Sequence, residues 1–415
     1  MERELALEIL IAYERDHTYL NIALNHALEH RDVKSDLVTA LVYGTIQYRL
    51  RLEYELEPQI TGRRVKVFER MLLFMSVYEH LYMSMPDYAI VDSSVELAKK
   101  KKGKRTSQFI NGVLRTTFQN PRSLDGLEEV EALSISESHP LWMVKMFVAQ
   151  YGLEETKKIL KANNEVPYKT ARINTLKTSR EAFIETHPDF VASSNSPYAL
   201  FYKGGNIAHT KAYQEGLLTI QDESSQLAAA LLDPKPGETV LDMCAAPGSK
   251  TTELAMLMNN QGSIDAFDLY EHKIKLINDN AKRLGVDIIQ AKAGDATDLT
   301  TFGEKHYDKI LLDGPCTGLG VLSRKPEIRY HEASIMDEII PIQKKLLENA
   351  YKLCKMGGNI VYSTCTINKK ENEKQIAAFI KAHEDVTIVK ERTILPYEIH
   401  SDGFYMCLLK KESQA

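Results

Sequence analysis

Cysteine is scarce, five in 415 residues, and no two of the five form a C-x-x-C pair. So small and odd a number argues against a disulfide framework and for a reducing compartment. Without a C-x-x-C pair a structural zinc site has no support, and no metal is expected. Long apolar runs are missing as well; none approaches the roughly 20 residues of a membrane span. The opening Met1-Glu2-Arg3-Glu4-Leu5 lacks the basic-then-apolar form of a secretory signal, so a cytoplasmic protein with no membrane partner is expected. Nor is there a surplus of positive charge. The formal net charge is −5, so any nucleic-acid contact has to come from local patches. What remains is ordinary for a globular protein, 44% apolar and 26% charged, with length enough for two or three domains.

The first 130 residues or so read as helix after helix. Leu5, Ile9 and Tyr13 recur at helical spacing, as do Val38, Leu41, Val42 and Ile46. Arg70 to Met75 begins a strongly apolar helix that Pro86-Asp87 breaks, and Ile90–Lys99 and Phe109–Phe118 are two more. Strand signals are few, which predicts an all-helical domain. Between the last two helices lies a basic run, Lys99-Lys100-Lys101-Lys102-Gly103-Lys104-Arg105, readable as a solvated loop or as an edge that contacts phosphates. Residues 120–138 turn polar and acidic and read as a linker. A helical pair follows to about Asn163, and then a small α+β module with strands near Thr170–Asn174 and Ala199–Tyr202.

From Glu215 to Lys410 strands and helices alternate. Strands are predicted at Glu238–Asp242, Ser263–Asp268, Asp287–Ala291, Lys309–Asp313, Asn359–Ser363 and Phe404–Leu409, with helices such as Ser249–Met258, Lys273–Leu284 and Asp337–Leu353 between them. This spacing predicts a mostly parallel, doubly wound α/β sheet. Such sheets bind ligands at the carboxyl ends of their strands, so the residues just past each strand are the candidates.

Past the first strand comes Met243-Cys244-Ala245-Ala246-Pro247-Gly248-Ser249-Lys250-Thr251. A Gly-containing loop opening a helix lets backbone approach a ligand and aims N–H groups at it. It is not a P-loop, because Ser249 and Cys244 stand where that motif needs glycines, and it is not GxGxxG. Alone it is equally well a tight turn. Asp268 ends the second strand, where an acid suits ribose hydroxyls. Gly294-Asp295-Ala296 follows the third, where an acid or its neighbouring backbone meets an adenine edge. Singly each acid is also an ordinary helix cap; three sites in register around one crevice are harder to explain so. Asp313-Gly314-Pro315-Cys316-Thr317-Gly318 and Tyr362-Ser363-Thr364-Cys365-Thr366 each set a Cys just past a strand. A lone free Cys is usually a small buried hydrophobe. Two at adjacent strand ends beside Asp313 suggest chemistry.

Cys244–Lys250, the Asp-Gly-Pro-Cys of 313–316 and the Ser-Thr-Cys of 363–365 closely resemble the Nol/Nop/Sun family of RNA (cytosine-5)-methyltransferases. Arg172-Ile173-Asn174, Gln221-Asp222-Glu223-Ser224-Ser225, Arg324-Lys325-Pro326-Glu327, Glu371-Asn372-Glu373 and Asp402-Gly403-Phe404 extend the likeness over about residues 140–412. Arg3-Glu4-Leu5-Ala6, Val42-Tyr43-Gly44-Thr45 and Phe109–Arg115 look like a NusB-type RNA-binding domain, a fusion characteristic of the bacterial Sun-type members, which act on 16S ribosomal RNA. Departures are small: Ser249 for a second Gly, Gly314 for Ala, and Thr317 and Thr366 for Ser. The resemblance implies a multidomain chain: a NusB-like helical domain over 1–130, linker helices with a small α+β RNA-binding module over 138–225, and a Rossmann-like class I methyltransferase domain over 226–412.

It also implies a reaction. A thiolate adding to carbon 6 of cytosine makes carbon 5 nucleophilic toward the methyl group of S-adenosylmethionine. In the family the nucleophile is the Thr-Cys cysteine, here Cys365. The Pro-Cys cysteine, here Cys316, is the nucleophile in DNA cytosine methyltransferases and so competes for the role; in the RNA-type assignment it assists product release. Asp313 would hold the cytosine edge near N3, and the base has to leave its stack. Cofactor contacts would fall to Cys244, Ala245, Ala246, Pro247, Gly248, Ser249 and Lys250, to Asp268 for ribose, to Asp295 for adenine and to Asp313 for the methionine end. Lys250 meets the carboxylate, orients the loop, or is a surface lysine. The expected partner is 16S rRNA, free or in a partly assembled small subunit, bound by a monomer, with DNA excluded. The basic run, the module around Arg172, and Lys325 and Arg329 are the candidate backbone grips. An RNA-binding assembly factor with a vestigial catalytic half, or an enzyme acting on tRNA, are the alternatives.

Overall fold

The structure, a computed structural model, describes residues 1–16, 20–28 and 33–413. By internal contacts the chain forms two units. One comprises residues 1–164 together with 324–331, the other 165–323 and 332–415.

In the first unit, helices α1 (Glu2–Asp16), α2 (Leu20–Leu28), α3 (Ser35–Gln47), α4 (Arg49–Ile60), α5 (Val67–Tyr82), α6 (Asp87–Lys102) and α7 (Lys104–Gln119) surround one apolar core. The spacings that predict these helices are the buried ones. Leu5, Ile9 and Tyr13 line α1, and Val38, Leu41, Val42 and Ile46 line α3. Met71 to Met75 are all buried, the mark of a helix covered on every side. Two expectations change here. The basic run is helical rather than a loop: Lys99–Lys102 ends α6, Lys104 begins α7, and Gly103 alone separates them at φ +85. The polar 120–138 stretch contains a further helix, α8 (Glu129–Ser136). Next come α9 (Leu141–Tyr151) and α10 (Leu153–Ala162), whose residues group with the N-terminal helices.

The excursion 324–331 belongs to this unit through a buried arginine. Arg329 is 0% exposed and donates to the carbonyls of Gln47 (3.0 Å), Ser138 (3.3 Å) and Asn163 (2.8 Å). Gln47 is the last residue of α3, Asn163 caps α10, and Ser138 lies just past α8. Helix ends leave such carbonyls without helical partners, and the negative end of the helix dipole favours a cation. Arg329 is therefore a buried clasp, not the RNA-facing grip that its position suggests.

The second unit begins with a four-stranded antiparallel sheet of β1 (Lys169–Ile173), β2 (Phe190–Ala192), β3 (Ala199–Tyr202) and β4 (Leu218–Ile220) in the order β2-β3-β1-β4, with α11 (Arg180–Thr186) and α12 (Lys211–Gln214). After α13 (Glu223–Leu232) comes the larger sheet: β5 (Thr239–Asp242), α14 (Ser249–Leu257), β6 (Ser263–Asp268), α15 (Glu271–Leu284), β7 (Ile289–Ala293), β8 (Tyr307–Asp313), α16 (Ile335–Leu353), β9 (Cys354–Thr364), α17 (Glu373–Ala382), β10 (Val386–Ile394) and β11 (Phe404–Lys411). Its order is β10-β11-β9-β8-β5-β6-β7. The five strands from β9 to β7 are parallel, and β11 and β10 add antiparallel at one edge. The chain leaves β5 toward β6 on one side and returns at β8 on the other. That switch opens a crevice beyond the carboxyl ends of the strands. Register places Asp242 beside Leu311, Asp268 beside Ala293 and Asp313 beside Ser363, so the loops that follow line one edge.

Candidate active site

The loop after β5 is held from several directions. Asp242 is buried, and its Oδ2 accepts the Thr251 hydroxyl at 2.7 Å. Burial raises its pKa to about 7. Ala245 N–H bonds to Phe267 O at 2.8 Å, and Ala246 N–H reaches Asp268 Oδ2 at 3.3 Å. Gly248 caps α14 at φ +96, a conformation that favours glycine. Arg172, 1% exposed, reaches the start of the same helix, donating to Ser249 O (2.6 Å), Thr252 Oγ1 (3.1 Å) and the Gln221 side-chain oxygen. It also pairs with Glu253 at 3.5 Å. Arg172 thus anchors the loop's helix from within the protein, so an RNA contact by the module around it would fall to other residues.

These residues suit a ligand with a nucleoside at one end and a carboxylate at the other. The leading N–H groups of α14 have no helical partner and favour an anion. Asp268, 7% exposed, ends β6 and holds the Tyr270 N–H at 3.3 Å and Lys273 at 3.4 Å. Immediately after it, Leu269 and Tyr270 are 56% and 51% exposed, apolar surface that a flat heteroaromatic ring would cover. This pair was not singled out in the sequence, although an apolar dipeptide directly after a strand-end acid is a readable signal. Asp295 is exposed and turns Oδ1 onto its own loop, accepting from Thr297 N–H at 2.8 Å.

The reactive groups lie on β8 and β9. Cys316 Sγ and Cys365 Sγ are 3.1 Å apart. Asp313 accepts from Lys250 Nζ at 2.7 Å and from Ser363 Oγ at 2.8 Å, one on each carboxylate oxygen. Lys250 is thus neither solvated surface nor a free cation. Burial would lower its pKa, but the nearby charges, Asp313 foremost and Cys365 after it, raise it. Its Nζ also sits 5.3 Å from the centre of the Phe404 ring. The three thiols near the crevice differ. Burial, reinforced by Asp242, Asp313 and Asp268, pushes Cys244 upward and keeps it a thiol. The hydrogen bond to Cys365, burial and the nearby charges of Cys365 and Glu371 push Cys316 well above its ordinary value. Cys365 lies near enough to Lys250 for its charge to contribute to the rise in the lysine's pKa. Cys354 and Cys407 are buried elsewhere in the sheet, as small hydrophobes.

Backbone contacts fix Cys365 from behind. Gly320 N–H donates to Cys365 O at 3.0 Å, and Gly403 N–H donates to Gly320 O at 2.7 Å. A Cβ on Gly320 would come within 1.9 Å of the Gly403 carbonyl, so only glycine allows that approach. The Asp402-Gly403-Phe404 motif thereby gains a physical role, while Gly320 carried no sequence signal of its own.

Residues 229–410 match the family described as 16S rRNA methyltransferase RsmB/F, residues 1–119 the NusB family, and residues 139–187 the ferredoxin-like domain of RsmF/B-like methyltransferases. The chain is 37% identical over 440 residues to the probable ribosomal RNA small subunit methyltransferase B of Bacillus subtilis (strain 168), covering 99% of this chain and 98% of that protein. A protein of the same description from Synechocystis sp. is 34% identical, covering 99% of each. The crystal structure of PH0851 matches with a TM-score of 0.84 at 27% identity, over 99% of both chains.

Proposed function

This chain belongs to the 16S rRNA methyltransferase RsmB/F family, and from that premise we propose that it methylates carbon 5 of a cytosine in 16S rRNA, with S-adenosylmethionine as donor and through a covalent bond from Cys365 to carbon 6 of the base. The observation that carries this reading is the pairing of Cys365 with Cys316 at 3.1 Å, with Asp313 and Lys250 joined at 2.7 Å on the neighbouring strand end and loop. An RNA-binding factor with a vestigial site has no use for such a constellation.

When bound, S-adenosylmethionine supplies an electrophilic methyl group. Its carboxylate end suits the start of α14, its ribose suits Asp268, and its adenine suits the Leu269-Tyr270 surface and the loop of Asp295. Cys365, held by Gly320 and beside Lys250, adds to carbon 6 and makes carbon 5 enamine-like. Asp313 holds the cytosine edge near N3, and Lys250 balances the charge that Asp313 brings to the base. Once carbon 5 carries the methyl group, its proton passes to water and the bond from Cys365 to carbon 6 breaks with its electrons returning to sulfur; Cys316, a thiol 3.1 Å away, assists by hydrogen-bonding the departing Cys365 thiolate. The target base reaches this crevice only by leaving its stack.

The test is transfer of a labelled methyl group from S-adenosylmethionine to 16S rRNA, naked and in partly assembled subunits, beside tRNA and DNA, with the product nucleoside identified. The account expects 5-methylcytidine in 16S rRNA. Label on tRNA alone would redirect the substrate, and no transfer to any nucleic acid would overturn the assignment.

A further inference from the structure

Both cysteines sit on loops, and loops hold position only as well as their anchors do. Glu371, whose motif the reaction does not itself use, is 0% exposed and lies between the two loops. Its Oε2 accepts the Thr317 N–H at 2.9 Å and the Gln343 amide at 3.0 Å. Its Oε1 accepts the Thr317 hydroxyl at 2.5 Å and the Asn368 amide at 3.0 Å. Thr317 directly follows Cys316; Asn368 is three residues past Cys365. The two loops also touch through Thr317 Oγ1 and Thr366 Oγ1 at 3.0 Å. Gln343, on α16, donates in addition to Pro315 O at 2.9 Å, just before Cys316. The Glu371 carbonyl accepts the Tyr362 hydroxyl at 2.7 Å, fixing the carboxylate's own backbone to β9. A buried carboxylate is costly unless its hydrogen bonds are made, and here four donors converge on it.

We propose that Glu371 is a positioning residue: its buried carboxylate buckles the Cys316 loop to the Cys365 loop and holds the two sulfurs at reacting distance. The inference rests on the two-cysteine reading of the reaction, since only there does the distance between the sulfurs matter. It goes beyond that reading by assigning the alignment to a side chain that touches neither sulfur.

Disulfide closure reads the alignment without RNA or methyl donor. An azodicarboxamide oxidant takes two protons and two electrons from a close pair of thiols; an S–S bond forms, and the N=N bond becomes a hydrazine. In the full-length protein, Cys316–Cys365 closure is expected to slow at least tenfold in Glu371→Ala and in Glu371→Gln, with Glu371→Asp between them and the wild type. Methyl transfer should fall about tenfold in kcat, with KM for S-adenosylmethionine within twofold of wild type. A residue needed only for folding would not give that split. Thr317→Val, which keeps the backbone N–H bond, covers the case in which Glu371→Ala does not fold. It should slow closure about threefold. Wild-type closure rates in the Glu371 variants or in Thr317→Val overturn the proposal, as does wild-type turnover in Glu371→Ala. If Cys316→Ala also turns over normally, the fault lies with the two-cysteine reading instead.

Discussion

At the scale of single residues, the two sulfurs at 3.1 Å are given different duties, those that the family resemblance implies. Cys365→Ala should lose methyl transfer by a factor of about 10³ or more and form no covalent complex. Cys316→Ala should still add to RNA but release it slowly, so that a protein–RNA band survives a denaturing gel. A Cys316 variant without that band would reduce Cys316 to packing. Asp242 supplies a pH test. Its folded pKa of about 7 lies above its ordinary 3.8. The stability tied to its proton is therefore complete below about pH 4 and is lost as pH rises through 7, at most about 4 kcal/mol for a shift of roughly three units. Denaturant unfolding at pH 5 and pH 8 should show a smaller drop in Asp242→Asn than in wild type; equal drops would contradict the burial argument. Residues whose chemistry repeats in short motifs, such as Cys316, Cys365 and Asp313, were readable in the chain. The role of Arg329 was not, because a cation that satisfies buried carbonyls and one that meets phosphate look alike until burial is known.

At the scale of elements, the long periodic helices and the strands ending in Asp242, Asp268 and Asp313 were legible because burial repeats at 3.6 or leaves short continuous apolar runs. The misses have local causes. Strand β10 is a mostly exposed edge strand, with Lys390, Glu391 and Arg392 among its exposed residues, so its apolar signal is weak. Helix α8 is acidic and short, and its burial falls mainly on Ser134. In the basic run, Lys100 pairs with Glu4 at 2.9 Å, and Lys101 pairs with Glu4 at 2.6 Å and Glu8 at 3.1 Å. Such surface pairs are weak and salt-screened, so they do not bar phosphate contact. Reversing Lys99, Lys104 and Arg105 to Glu should weaken RNA binding and flatten the slope of log affinity against log salt by about two. An unchanged slope would mark the run as a solvated helix junction.

At the scale of the whole molecule, an excursion from the methyltransferase sequence, 324–331, is part of the helical unit, and Arg329 is its clasp. Arg329→Met should strand three carbonyls and destabilise that unit by about 3 kcal/mol or more. Trp142, the chain's one tryptophan, lies on α9 within the same unit and reports its unfolding by fluorescence. A wild-type transition in Arg329→Met would show that the carbonyls find other donors. Length and motif order made a multi-domain chain legible, but this excursion was not: its contacts join residues as far apart as Gln47 and Arg329, beyond the reach of any periodic pattern.

The central claim is tested most directly with RNA in which 5-fluorocytosine replaces cytosine. Fluorine at carbon 5 cannot leave as a proton does, so after methyl transfer the bond from sulfur to carbon 6 persists and can be mapped by peptide mass spectrometry. The account predicts wild-type protein carrying the pyrimidine on Cys365. The modification on Cys316, or no trapped complex at all in the presence of S-adenosylmethionine, would contradict it.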